Sequence, residues 1–229
     1  MRCIGIVGGL SPESTTHYYR HIIACHRRLR GDQDFPRIVV ASVSFGQYLS
    51  WQQANRWDLL AEGLRTEFAA LKAAGAAFAV VASNTPHKVL PLENSPLPLL
   101  DIRDAVAAEC KRRGITRIAL TGTAYTMADD FYASRLRAQG LEVSLPSLRE
   151  QSAIHRIIFG ELVHGTASPE SRRIFAEIAQ RLQAEGAEAI LLACTELAQL
   201  TDPEKPEFPS LDSTEIHAEA AWNYSSVSV

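Results

Sequence analysis

The chain has 229 residues, room for one large domain or two small ones at about 150 residues each. Lys and Arg number 23 against 26 Asp and Glu, and the resulting formal charge of −3 offers no basic footprint for nucleic acid. With 46% hydrophobic and 21% charged residues the chain can bury a sizeable core, which excludes the disordered class. No apolar run nears the roughly 18 residues of a membrane span. The opening MRCIGIVGGLSPES also lacks the apolar stretch of a signal peptide. The expectation is a soluble cytoplasmic protein that binds neither nucleic acid nor membrane.

In chain order, CIGIV at 3–7 reads as a buried strand running into a glycine turn and a helix start. Ser11 is placed to cap that helix, and Pro12 suits its first position. Backbone N–H groups of the turn could hold a carboxylate or a small phosphate. The spacing Gly5-x-x-Gly8-Gly9 is not a dinucleotide fingerprint, and no Walker lysine follows. The helix from 14 to 30 carries His17, His21 and Cys25 on one stripe. Three ligands stacked along a straight helix span about 12 Å, too far to share an ion. Only a His17–His21 pair with outside help remains, so no metal is assigned.

RIVVASV at 37–43 is the second strand, the amphipathic stretch Trp57–Ala74 a covering helix, and AFAVVA at 77–82 the third strand, ending in SNTPHK. RIAL at 117–120 runs into LTGTAYTM, where Thr123 and its neighbours offer hydroxyls to a polar pocket. Glu170–Glu185 is a further covering helix before AILLA at 189–193 and ACTEL. LDSTEIHAEAA at 211–221 opens the last helix, with Asp212 or Ser213 as cap. His217 falls near its first turn, where the helix dipole would keep the imidazole neutral. Apolar strands alternating with helices predict a parallel α/β protein.

An internal repeat sharpens this reading. LKAAGAAFAVVASNT at 71–85 aligns with LQAEGAEAILLACTE at 182–196, setting Gly75 on Gly186 and Ser83 on Cys194. A fainter echo sets IGIVGGLS against IALTGTAY at 118–125. Two similar α/β halves are expected, residues 1–100 with 208–229 and residues 101–207. Ligands of open α/β sheets bind outside the carboxyl ends of the strands, which is where both Ser83 and Cys194 fall. The four cysteines are scattered, which argues against a disulfide framework or zinc finger. Cys3 and Cys110 read as structural. A thiol at a helix start is shifted toward thiolate, from an ordinary pKa of about 8.5, so Cys194 is a candidate base or nucleophile.

GGLSPEST, SNTPHK, LTGTAYTM, LACTEL and DSTEIHAEAA, in this order between residues 5 and 221, resemble the successive signatures of the aspartate/glutamate racemase family. The resemblance implies two α/β domains related by a pseudo-two-fold, with the active site in the cleft between them. It implies a homodimer, no cofactor, and a small-molecule substrate that is an acidic amino acid or dicarboxylate. In that family two cysteines address the amino acid's α-carbon from opposite sides, one removing a proton and the other delivering one. Here Cys194 keeps the second position, and Ser83 stands where the first cysteine is usual. A hydroxyl is a far poorer base than a thiol, so exchange is expected mainly from one enantiomer, with slow racemisation.

His87, four residues past Ser83, is the candidate to activate the hydroxyl. The resemblance assigns substrate contacts to Ser11, Gln52, Asn84, Thr85, Thr123, Thr195, Glu196 and His217, with Asn84, Thr85 and Thr195 on the α-carboxylate and ammonium groups. The segment ASVSFGQYLSWQ resembles a family loop and holds no arginine, leaving Arg56 and Lys88 as candidate cations for a distal carboxylate. Two other readings keep the same site: a single-cysteine decarboxylase or isomerase of a related dicarboxylate, and a catalytically silent protein that binds an acidic ligand.

Overall fold

Strand β1 (Ile4–Gly8) is buried along its whole length and pairs in parallel with β2 (Ile38–Ser42) and β3 (Phe78–Val81), giving the order β2-β1-β3. This is a computed structural model, and it describes all residues except 91–93, 203–205 and 227–229. Side chains alternate along the strands, so both faces of the sheet are apolar. Ile4, Ile6, Phe78 and Val80 pack on Tyr18, Ile22 and Cys25 of α1 (Pro12–Leu29) and on Ala218, Ala221 and Trp222 of the last helix. Val7, Ala79 and Val81 pack instead on Leu60, Leu64, Phe68 and Leu71. These four come from one stripe of α3 (Trp57–Ala73), which follows α2 (Phe45–Gln53). Each such buried side chain contributes about 1.5–3 kcal/mol relative to an exposed one. The segment after β2, which resembles a family loop, is a helix in the structure, and its Tyr48 is buried in the same core.

The chain divides into two compact units, Met1–Ala105 with Thr214–Val229, and Val106–Ser213. After α4 (Ile102–Arg113), the second unit centres on β4 (Arg117–Gly122), followed by α5 (Ala124–Ala128), α6 (Phe131–Ala138) and β5 (Glu142–Ser144). Next come α7 (Leu148–Gly160), α8 (Pro169–Ala184), β6 (Ala189–Ala193) and β7 (Ser210–Asp212), and α9 (Ser213–Ser226) closes the chain. The parallel sheet runs β5-β4-β6-β7. Ala119, Ile190 and Leu192 meet Ile154, Ile157 and Ile158 of α7 and Phe175, Ile178 and Leu182 of α8. Strands β5 and β7 were not expected from the sequence. Each is three residues long, at a sheet edge, and carries no apolar run.

The internal repeat is real backbone geometry. α3 and α8 both end on a glycine with positive φ, Gly75 at 91° and Gly186 at 110°. The same two closing bonds recur, Gly75 N–H to Lys72 O with Ala76 N–H to Leu71 O, and Gly186 N–H to Gln183 O with Ala187 N–H to Leu182 O. Each turn feeds a buried strand and then a short 3-10 helix, Thr85–Val89 in one copy and Thr195–Leu200 in the other. The helix expected after each strand is thus present, in the 3-10 form.

At the end of β1, Gly9 has φ of +80°, and a Cβ on it would stand 2.3 Å from Val43 O and 2.6 Å from Val43 N. Those Val43 atoms belong to the chain leaving β2, whose N–H bonds Gly8 O at 3.0 Å. Gly9→Ala is expected to cost about 2–5 kcal/mol from backbone strain and overpacking together. A urea unfolding curve that moves by less than about 1 kcal/mol would contradict this.

Candidate active site

Cys194 directly follows β6, in extended conformation, and is 9% exposed. Its Sγ–H donates to Glu196 Oε2 at 3.1 Å, and the Thr195 hydroxyl donates to the same oxygen at 2.6 Å. Burial pushes the Cys194 thiol well above its ordinary range, and the Glu196 charge and hydrogen bond push the same way. The resting sulfur is therefore a thiol. This corrects the expectation of a dipole-stabilised thiolate, because six residues of 3-10 helix supply too little positive potential against desolvation plus an adjacent carboxylate. The arrangement instead sets a carboxylate where it can take the thiol's proton. Glu196, a substrate contact by resemblance, is in the structure also the hydrogen-bond partner of Cys194, a role the sequence alone does not show. The spacing i, i+2 across a strand end was the available signal.

In the first unit, Ser83 lies two residues past β3. The nearby imidazole is fully engaged: His87 Nδ1 donates to Ser83 O at 2.9 Å, and Nε2 accepts from Ile102 N–H at 3.3 Å. Both backbone partners have fixed polarity, so the tautomer follows, and no nitrogen is left for the Ser83 hydroxyl. His87 is thus a clamp on the turn after β3, not the activating base expected. Burial pushes its pKa down.

His217 is likewise fully buried, with Nε2 donating to Leu100 O at 2.9 Å and Nδ1 accepting from Tyr18 Oη–H at 2.7 Å. Its pKa falls to about 3, first through burial and then through His87. The imidazole is neutral, as expected, but desolvation rather than the helix dipole accounts for it. Both nitrogens bind protein, so His217 fastens α9 to α1 and offers no substrate contact as it stands. Beside this network the buried Asp101 carboxylate takes the Arg103 guanidinium at 2.6 and 2.9 Å, which holds the acid well below the usual range despite burial.

The remaining candidates sort by unit. Ser11 Oγ accepts from Ser14 N–H and caps α1, Gln52 is 9% exposed near the end of α2, and Asn84 and Thr85 are buried at the 3-10 turn after Ser83. All of these follow carboxyl ends of the first sheet. In the second unit Thr123 caps α5 after β4, with its Oγ1 accepting from Thr126 N–H. The Gly9 amide is occupied by Thr15 Oγ1 at 2.8 Å, which removes it from the anion cradle expected in that turn. Arg56 is paired with Asp58 at 2.6 Å on the surface, whereas Lys88 Nζ sits 4.1 Å from the centre of the Trp57 ring.

Residues 7–221 match the family described as Asp/Glu/hydantoin racemase. The chain is similar to the broad specificity amino-acid racemase RacX of Bacillus subtilis, 25% identical over 221 residues that cover 92% of each chain. It is 33% identical to PH1733, an aspartate racemase homologue from Pyrococcus horikoshii OT3, with a TM-score of 0.86 over 99% of this chain and 100% of that one. A crystallised Yersinia pestis protein is 38% identical, with a TM-score of 0.91 over 98% and 99% of the two chains.

Proposed function

Because the chain belongs to the Asp/Glu/hydantoin racemase family and is an isomerase of the amino-acid racemase class, we propose that it racemises or epimerises aspartate or glutamate slowly and without a cofactor, exchanging the α-hydrogen mainly of one enantiomer. The observation that carries this reading is the Cys194–Glu196 pair at the end of β6. In the proposed sequence Glu196 takes the Sγ proton, leaving a thiolate. The thiolate removes the α-proton of one enantiomer, and the electron pair passes into the α-carboxylate as an enediolate. Return of a proton from Cys194 regenerates the same enantiomer, now carrying solvent hydrogen. Delivery from the Ser83 position gives the other enantiomer.

Interconversion asks Ser83 to give up a proton in one direction, becoming an alkoxide that solvent must reprotonate, and to take one as that alkoxide in the other, so both directions are slow together. An alcohol ionises far less readily than a thiol, and His87 has no lone pair to assist it. Asn84, Thr85 and Thr195 remain the groups proposed for the α-carboxylate and ammonium, with Gln52, Ser11 and Thr123 beside the strand ends. Lys88, whose Nζ lies over the Trp57 ring, and Arg56, paired with Asp58, are the two cations proposed for a distal carboxylate. The family resemblance supports a homodimer.

The test is incubation of the wild-type protein in deuterated buffer with each enantiomer of aspartate and glutamate, followed by NMR at the α-position. Deuterium entering one enantiomer much faster than its mirror image is expected. Unlabelled amino acids together with carbon dioxide release from a substituted malonate would replace this reading with a single-cysteine decarboxylase. Binding with no turnover of either kind would leave a silent acidic-ligand protein.

A further inference from the structure

The histidine stripe of α1 finds its outside help in α9. His17 Nε2 lies 3.6 Å and His21 Nδ1 3.9 Å from the same oxygen, Glu215 Oε1. One ligand atom from each of the three lies within 4.8 Å of the others. Nitrogen and oxygen ligands bound to zinc at about 2.0–2.1 Å in a tetrahedron sit roughly 3.4 Å apart, so two of these separations need close by only a few tenths of an ångström. We propose that His17, His21 and Glu215 form a binding site for a divalent transition-metal ion of the zinc type, which fastens α1 to α9 within the first unit.

The chemistry fits such an ion. Two imidazoles one helical turn apart with a carboxylate from a second helix make an N2O donor set, suited to borderline metals such as zinc and cobalt rather than to magnesium or calcium. Side-chain exposure rises from 19% at His21 to 37% at His17 and 52% at Glu215, which gives an ion a route in and leaves its fourth position to water. The other nitrogen of His21, Nε2, is buried without a hydrogen-bond partner among the described residues, so no structural bond fixes the ring against the small turn ligation requires.

A second group, His21, Cys25 and Glu219, shares the same imidazole. It is the poorer candidate. The Arg28 guanidinium stands 3.1 Å from Glu219 and 3.9 Å from Cys25 Sγ, already placing a positive charge there.

The experiment uses the full chain without a histidine tag, stripped with a chelator. Calorimetric titration with zinc should give one ion per chain, and cobalt should give visible absorption of tetrahedral intensity. Tm should rise by about 5–10 °C at zinc near a hundred times Kd. His17→Ala and Glu215→Gln should each weaken zinc binding at least tenfold, whereas Cys25→Ser should leave it unchanged. Absence of binding up to millimolar zinc, or binding that survives both of the first two changes, overturns the proposal. Loss of binding in Cys25→Ser overturns it equally, in favour of the second group. None of these readouts depends on racemase activity, so the metal site and the catalytic reading stand or fall separately.

Discussion

Cys194→Ala is expected to lower deuterium entry at the α-carbon of the reactive amino acid by about 10²–10⁴-fold, the contribution of a positioned proton-transfer group. The protein should remain folded, since the change removes one small side chain at the end of a strand that is otherwise anchored by Ile190, Leu191 and Leu192. Glu196→Gln should give an intermediate loss. It deletes the group that takes the thiol's proton, yet it also deletes the negative charge that holds that thiol neutral, and the two effects oppose each other. Substrate affinity should change little in Cys194→Ala, because sulfur is given no ground-state contact beyond the α-hydrogen. Exchange that persists at the wild-type rate in the alanine variant would remove Cys194 from the mechanism.

Stability is expected to fall steadily as the pH drops below about 6.5, before any carboxylate is titrated. The cause is the buried pair His217 and His87. His217 has its pKa lowered to about 3 in the folded chain, against 6.5 when exposed, and burial lowers His87 in the same direction. Between those values the unfolded chain binds protons that the native chain refuses. The sign is therefore loss of stability with falling pH, at about 1.4 kcal/mol per pH unit for His217, with His87 adding in the same direction. Asp101 acts in a lower window. Its folded pKa is depressed by Arg103, so the stability it supplies is complete above its ordinary value and is lost only in stronger acid. Urea unfolding at pH 7.5, 6.5, 5.5 and 4.5 checks the claim. His217→Gln should be less stable at pH 7.5, having lost the Tyr18 and Leu100 bonds in their present form, but its curve should slope less by roughly one proton. A stability flat from pH 7.5 to 4.5 would contradict the assignment.

Much of this was legible in the sequence, for a physical reason. Strands covered on both faces must be apolar throughout, so β1, β3, β4 and β6 announce themselves, and a helix that ends on a left-handed residue needs glycine, so Gly75 and Gly186 mark the repeat. Edge strands β5 and β7 carry no such constraint and escaped notice. Helix α7 also escaped, although Ser147 and Glu150 form a capping box that its sequence displays. At the site, residue types at strand ends were readable, but electrostatic state was not. Whether Cys194 is thiol or thiolate depends on burial and on where the Glu196 carboxylate turns, and whether His87 can serve Ser83 depends on which backbone groups have already claimed its nitrogens. Those are tertiary facts. The same holds for Glu215, which lies almost two hundred residues from the histidines it approaches.

The most direct measurement is the rate at which Ser83→Cys interconverts the two enantiomers, set beside the wild type in deuterated buffer. A thiol in place of the hydroxyl supplies the missing base, so racemisation should rise by about 10²-fold or more and label should enter from both enantiomers rather than one. Unchanged interconversion in a folded Ser83→Cys protein, with label still entering one enantiomer alone, would contradict the account.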